Sequence, residues 1–356
     1  MKIISVESRV ESFDLARPYM IASRMTDSVE NVVVTIRASS GLMGLGAGAP
    51  GGAATGETLS ACRAGLARAR SLLVGRDIRE LPGLCRVLGE RLPTAPAARA
   101  ALDMALHDLL AQHLGVPLAE MLGRAHRELP TSITIGIKGV EETIVEAKEY
   151  VARGFRILKV KVGLDLQEDL ERLAKVRETV GPGVRIRADA NQAYTSPEVL
   201  RFFKETASLE IEFLEQPMKA GMTEALRELP EAIRGRIAAD ESLLDEEDAL
   251  SLVNPPQACG IFNIKLMKCG GIRPALRIAA IAETAAVDLM WGCMDESVIS
   301  IAAALHAAMA SPATLYLDLD GSLDLARDVA EGGFILEGGM MRTTDAPGLG
   351  VRLEIA

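Results

Sequence analysis

The segment Ile157–Gly163 reads ILKVKVG and carries two lysines one residue apart at the end of an apolar run. Strand side chains alternate between faces, so Lys159 and Lys161 share one side. In a strand buried among helices such a pair is costly unless something nearby uses it, whereas on a solvated edge strand it costs nothing. The residues downstream favour the buried strand. From Pro130 onward apolar β-rich runs recur at 133–137, 157–162, 184–188, 211–214, 237–239, 260–264, 287–291 and 315–317, each followed by a segment expected to be helical. Eight near-continuous apolar runs of this kind predict a parallel sheet covered by helices.

A charged residue closes most of these runs, and the spacing is regular. From Lys161 to Asp189 is 28 residues, then 26 to Glu215, 25 to Asp240, 25 to Lys265, 30 to Asp295 and 23 to Asp318. One strand, one helix and two loops need about this length, so the period reads as repeated β/α units. Eight units close into a barrel, and barrel enzymes carry their chemistry at the C-terminal strand ends.

Upstream, the alternation of MKIISVESRVESFDL predicts a strand to about Phe13, then a loop from Ala16 to Val29 and a second strand from Asn31. The glycine cluster between Gly41 and Gly52 lacks the acidic partner of a dinucleotide fingerprint and reads as a hairpin and loop. The pattern turns helical from about Gly56 to Leu122; His107 and His113 lie there as ordinary helix-surface or core histidines. After the eighth strand one more helix-like stretch is expected, then a glycine-rich β segment that returns to the first domain. The organisation expected is residues 1–125, 126–322 and 323–356 as capping domain, barrel and returning segment.

The 356 residues carry a net charge of -10, which argues against a nucleic-acid surface. No apolar run approaches the roughly 18 residues of a membrane span and no leader pattern opens the chain, so a cytoplasmic location is expected. The five cysteines have no C-x-x-C spacing and read as reduced thiols rather than metal ligands.

Asp189, Glu215 and Asp240 end three consecutive strands, which sets three carboxylates side by side at the barrel mouth. Converging carboxylates repel one another unless a cation joins them, and oxygen-only donors select a hard ion, Mg2+ first. Lys161 and Lys265 end strands two and six of eight and so face each other with the carboxylates between. That arrangement suits removal of a proton from the carbon beside a carboxylate and its return on the opposite face, with the metal stabilising the enediolate charge. Burial, the metal and the like charge of Lys159 are expected to lower the pKa of a lysine base. Schiff-base chemistry at either lysine is the competing use, and the carboxylate trio makes it the poorer explanation.

These residues resemble the enolase superfamily, in particular its muconate lactonising enzyme subgroup. The matching motifs are LKVKVG at Leu158–Gly163, RADAN at Arg187–Asn191, LEQP at Leu214–Pro217, ADES at Ala239–Ser242 and NIKLMKCGGI at Asn263–Ile272, with ALDMALHDLL and GVPLAEMLG extending the match into the first domain. The resemblance implies an α/β fold: a (β/α)7β barrel, a modified TIM barrel, with an α+β N-terminal capping domain completed by the C-terminal segment. It implies one Mg2+ on Asp189, Glu215 and Asp240, with Asn191 close behind, Lys161 and Lys265 as acid/base pair and Lys159 as their neighbour. The histidine that the mandelate racemase subgroup supplies near strand seven is missing, and His306 reads as core or surface. A homo-oligomer is also expected.

The subgroup spans cycloisomerases, o-succinylbenzoate synthases, N-acylamino acid racemases and dipeptide epimerases, and fold alone does not choose among them. In LYLDLDG, Leu315–Gly321, the pair Asp318 and Asp320 is similar to the Asp-x-Asp by which dipeptide epimerases hold a substrate α-ammonium. Thr134, on the first barrel strand, is a further substrate-contact candidate. Two positions disagree about the substrate side chains: Arg24 matches the arginine that engages glutamate in Ala-Glu epimerases, whereas Asp295 favours a basic C-terminal residue. The expectation is a Mg2+-dependent dipeptide epimerase inverting the C-terminal Cα, leaning towards a cationic side chain. An L-Ala-D/L-Glu epimerase is the runner-up, and a cycloisomerase or o-succinylbenzoate synthase-type lyase is the alternative of another class.

Overall fold

The computed structural model describes residues 1–21, 24–51 and 55–354, without the side chains of residues 21 and 24. Two long strands, β1 (Ile3–Ile21) and β2 (Arg24–Ala38), form an antiparallel ribbon that β3 (Met43–Gly48) extends to three strands. The expected loop over 16–29 is largely strand. Pairing runs from Phe13↔Val29 to Tyr19↔Thr26 and Met20↔Met25, with one irregularity between Asp14 and Tyr19 that holds Ala16 and Pro18. That bulge interrupts the side-chain alternation, which hides the strand from a reading based on period.

The glycine cluster belongs to β3 rather than to a loop. Gly44, Gly46 and Gly48 face the helix Pro96–Leu114, and a Cβ on each would lie 2.1, 1.9 and 2.6 Å from the carbonyl oxygens of Ala105, Ala101 and Ala97. Two strand residues advance about 6.7 Å and four helix residues about 6 Å, so the two small-residue stripes stay in step. The helix is buried on nearly all sides: Ala98, Ala101, Leu102, Ala105, Leu106 and Leu109 are fully covered. Glu57 caps its start by accepting from the amides of Ala97 (2.5 Å) and Ala98 (3.3 Å), and Gly115, at φ 74°, ends it.

After β4 (Leu129–Pro130) the strands β5 (Ile133–Ile135), β6 (Ile157–Lys161), β7 (Arg185–Asp189), β8 (Ile211–Glu215), β9 (Ile237–Ala239), β10 (Ile261–Ile264), β11 (Asp288–Gly292) and β12 (Thr314–Asp318) form one parallel sheet in chain order. A bridge between Thr131 and Leu317, with the Ser132 amide donating to the Leu317 carbonyl at 3.1 Å, brings the first and last strands together into a nearly closed barrel.

The period of two divides each strand. Ile186 and Ala188 pack outward in the main core, while Arg187 and Asp189 point into the barrel. The lower interior layer contains Phe213, Ala238, Ile261 and Met290, a cluster separate from the main core. Fully buried Arg187 fills its centre, with its guanidinium 5.2 Å from the Phe213 ring and 5.0 Å from that of Tyr316. Its Nη1 donates to the Leu317 carbonyl and its Nε to Glu212. Charged groups one step higher therefore stand on a filled floor.

The segment beyond β12 differs from the expected helix. Gly321–Leu323 is a single 3-10 turn, followed by β13 (Ala330–Gly332), β14 (Phe334–Glu337), β15 (Met340–Thr343) and β16 (Val351–Leu353). β13 pairs with β16, and β15 pairs with β14 and β4, so these strands build their own small sheets rather than joining β1–β3. The segment still touches the first domain: buried Asp108 accepts from Leu45 on β3 and from Leu349, at 2.8 Å each. Among the described residues no helix is long and apolar enough to cross a membrane.

Gly46→Ala is expected to destabilise the protein by about 1–3 kcal/mol, because its Cβ would press on backbone. Gly83→Ala, in the helix Leu81–Arg91 with open space around it, should be neutral or stabilise by up to about 1 kcal/mol. Denaturant unfolding of both variants compares the two; equal midpoints would contradict the tight strand-helix contact.

Candidate active site

Strand register places the charged groups at one level. Lys161 pairs with Asp189, and Asp189 with Glu215; Asp240 follows directly after β9 and Lys265 after β10. Asp189, Glu215 and Asp240 are 0, 0 and 3% exposed. Lys161 Nζ lies 2.6 Å from Asp189 Oδ2, and Lys265 Nζ 2.7 Å from Asp240 Oδ2. Lys159 and Lys161 do share one face: Lys159 Nζ reaches Asp189 Oδ2 (3.1 Å), Glu215 Oε2 (2.8 Å) and Asp318 Oδ2 (2.7 Å).

Burial and the neighbouring charges of Asp189 and Asp240 push Glu215 up to about 7, although Lys159 pulls the other way. Burial also works against ionisation of Asp189 and Asp240, but there the lysines prevail: Lys161 and Lys159 hold Asp189 low, as Lys265 and Lys268 hold Asp240. Burial lowers the Lys265 ammonium, yet Asp240 and Glu215 outweigh it and the net shift is upward. The carboxylates thus reverse the expected lowering at this lysine, while the charge of Lys159 acts in the expected direction.

Three buried carboxylates that repel one another and carry only oxygen donors suit a hard dication. Glu215 Oε2 is buried without a hydrogen bond, lying only within ion-pair distance of Lys159. These residues fit Mg2+. Asn191 stands behind them, its amide donating to Asp189 Oδ1 at 3.0 Å and its side chain to Glu241 at 3.4 Å.

Two residues inside the NIKLMKC motif have contacts that the sequence reading left unassigned. Asn263, fully buried, donates from Nδ2 to Glu215 Oε1 at 2.8 Å; Lys268 donates to the Asp240 carbonyl at 2.6 Å and to its Oδ1. Their spacing from Lys265, two residues back along a strand and three forward along a helical turn, was the available signal.

A cavity of about 860 Å3 opens above the barrel, lined by Lys159, Lys161, Asp240, Lys265, Asp318 and Asp320 among others. Asp318 accepts from Ser132 Oγ at 2.6 Å as well as from Lys159. Asp320 Oδ2 accepts from the amide of Thr134 at 2.7 Å, which gives Thr134 a supporting contact through its backbone. Burial and the Asp318 charge push Asp320 up to about 6.

The β1–β2 ribbon closes over this opening. Tyr19 Oη donates to Asp295 Oδ2 at 2.8 Å, Asn31 Nδ2 to the Asp295 carbonyl at 3.2 Å, and Ile137 N to the Met20 carbonyl at 2.8 Å. The side chain of Arg24 lies outside the described residues. His306 is fully buried away from the mouth and accepts from the Ala119 amide at 2.9 Å; burial pushes it down to about 3.

Family models match both parts of the chain: the mandelate racemase / muconate lactonizing enzyme N-terminal domain over residues 3–123 and the enolase C-terminal domain-like model over 142–355. The chain belongs to this enolase-superfamily family. An L-Lys-D/L-Arg epimerase of Methylococcus capsulatus is 63% identical over 99% of both chains, and one of Desulforapulum autotrophicum is 54% identical over 99% of both. A crystal structure of the Methylococcus capsulatus dipeptide epimerase with Mg and the dipeptide L-Arg-D-Lys matches with a TM-score of 0.97, covering 99% of each chain.

Asn263→Ala should weaken Mg2+ binding by about 10- to 100-fold, because Glu215 loses the neutral donor that orients it. Titration calorimetry with Mg2+ measures this, with circular dichroism to verify the barrel. Unchanged affinity would remove Asn263 from support of the candidate Mg2+ site.

Proposed function

We infer that the protein is a Mg2+-dependent dipeptide epimerase that inverts the Cα of the C-terminal residue, with a preference for cationic side chains. The observation that carries this reading is the placement of Lys161 and Lys265 on β6 and just after β10, four strands apart around one cavity, with the three carboxylates between them and Asp318 and Asp320 on the far side. Relatives with high identity along the whole length act on Lys- and Arg-containing dipeptides by name, which supports the same substrate class here.

The residues divide the work. Asp318 and Asp320 receive the α-ammonium, anchoring the dipeptide so that its second Cα lies between the lysines. A lysine in its neutral form removes the Cα proton from one face, and the other, as ammonium, delivers a proton to the opposite face. The roles exchange for the other configuration. Mg2+ held by Asp189, Glu215 and Asp240 would supply positive charge against the negative charge that develops on the substrate carboxylate. Lys159, tied to three carboxylates, keeps them spaced and contributes a fixed positive charge below the reacting carbon. The ribbon with Tyr19 excludes water, and Asp295 presents a carboxylate suited to a basic C-terminal side chain.

Incubation with dipeptides in heavy water tests the two-base assignment. Lys161→Ala should lose deuterium incorporation from one Cα configuration and Lys265→Ala from the other. Two-sided exchange in both variants would overturn it.

The anchoring role of Asp320 predicts an acid limb. Its carboxyl is raised, so the charge that holds the ammonium is present above about 6 and is lost as pH falls through that value. Free α-amines lose their own proton near pH 8, so kcat/KM should be bell-shaped with limits of about 6 and 8. A kcat/KM profile flat from about pH 5 to 7 would contradict the role.

A further inference from the structure

Five carboxylates line one side of the cavity: Glu146, Asp295, Asp318, Asp320 and Asp324. Four of them have side-chain partners in the fold. Asp318 has Lys159 and Ser132, Asp320 has the Thr134 amide, and Asp295 has the Tyr19 hydroxyl. Glu146 is held by Lys138, by Tyr150 Oη at 2.7 Å and by Arg17 at 3.3 Å. Among the described residues the Asp324 carboxylate makes no hydrogen bond or ion pair, and neither Asp320 nor Asp324 has a cationic side chain within ion-pair distance. At Asp320 and Asp324 the wall therefore carries carboxyl groups that no lysine or arginine faces at ion-pair distance. Lys159 is already shared with Asp189 and Glu215, and Arg17 with Glu149.

The backbone of Asp324 is fixed. Its carbonyl accepts from Ala16 N at 2.8 Å, a bridge joins Leu15 to Leu325, and Ala326 N donates to the Asp14 carbonyl at 2.9 Å. Leu15 and Leu325 are both buried beside it. A carboxyl group on so firm a support, facing a cavity and left without a partner in the fold, takes up a proton unless a ligand cation joins it. Burial and the charges of Asp320, Asp295, Glu146 and Asp318 push its carboxyl up to about 8, a sign of how strongly negative charge converges there.

One excess charge is accounted for by the α-ammonium at Asp318 and Asp320. Asp324 follows Asp320 by a single 3-10 turn, Gly321–Leu323. In a dipeptide, the side chain of the N-terminal residue leaves from the same carbon that bears the α-ammonium, so it starts beside Asp320 with Asp324 on the next turn. The C-terminal side chain starts from the carbon between the lysines. We propose that Asp324 is a specificity residue that pairs with an ammonium or guanidinium on the side chain of the N-terminal residue, so that the site selects dipeptides with a cation at both positions. This assignment rests on the dipeptide-epimerase reading.

The test compares L-Lys-L-Lys with L-Ala-L-Lys, which differ only in the N-terminal side chain, using the Mg2+-loaded full-length protein. Asp324→Asn, which keeps the side-chain shape, should lower kcat/KM for L-Lys-L-Lys on the order of 10-fold or more, chiefly through KM. For L-Ala-L-Lys it should leave kcat/KM within about twofold, and Asp324→Glu should restore part of the preference. Equal losses on both dipeptides, or no loss on either, would overturn the proposal. If the wild type exchanges the Cα proton of neither dipeptide, the epimerase reading itself fails and the assignment goes with it, an outcome distinct from active enzyme with an unchanged ratio.

Discussion

Every inward position of a short barrel strand must either fill the floor or reach the mouth, and the strands here give each task one layer. The lower layer combines apolar side chains with Lys159 and its register partner Arg187, whose guanidinium is stacked on two rings and bonded to Glu212, Ser132 and the Leu317 carbonyl. The layer above consists of Asp189, Glu215, Asn263 and, beyond β9, Asp240. Without a dense floor, the carboxylates would have water beneath them and a weaker mutual field. The register pair Lys161↔Asp189, continued to Glu215, then turns adjacency in the sheet into adjacency of charge. A slip of one residue would send those side chains into the helices instead.

That layer is expensive for the fold. Burying three carboxylates and several ammonium groups trades large desolvation costs against strong Coulomb attraction, and such trades seldom yield net stability. The stabilising area lies elsewhere, in the outward faces of the barrel strands and in the alanine-rich helix seated on β3. The division is physical: the outward half of each strand supplies stability, while the inward half supplies reactivity. Asn263 shows how finely the two are separated, since it reaches Glu215 from a fully buried position while its strand neighbours Phe262 and Ile264 face the main core.

Much of this was legible in the sequence because charge at the end of an apolar strand is conspicuous. A period of about 25 residues gave the barrel, and the last inward residue of each strand gave the lysines and carboxylates. What escaped reading has a local cause in each case. The β1–β2 ribbon runs through 16–29, where a bulge and Pro18 erase the alternation. Gly44, Gly46 and Gly48 resembled a loop because the reason for their size is a helix some fifty residues away. Arg187 in RADAN was read only as part of a motif, since nothing local tells a buried, stacked arginine from a solvated one. The segment after β12 lacks the expected helix because Gly321–Leu323 turns the chain directly onto β1.

The contact between that turn and the ribbon ties one wall of the cavity to the first domain. Asp295 is held by Tyr19 and Asn31, and the backbone of Asp324 is bonded to Asp14 and Ala16, so both carboxylates belong to barrel loops but take their positions from the first domain. Lys161, Lys265, Asp189, Glu215 and Asp240, by contrast, stand on or directly after barrel strands. Changes in the ribbon can therefore move Asp295 and Asp324, the proposed readers of substrate side chains, while leaving the proposed proton-transfer lysines in place. In the proposed function, the residues that recognise the dipeptide side chains and those that react therefore have separate mechanical supports, one tied to the capping domain and one to the barrel.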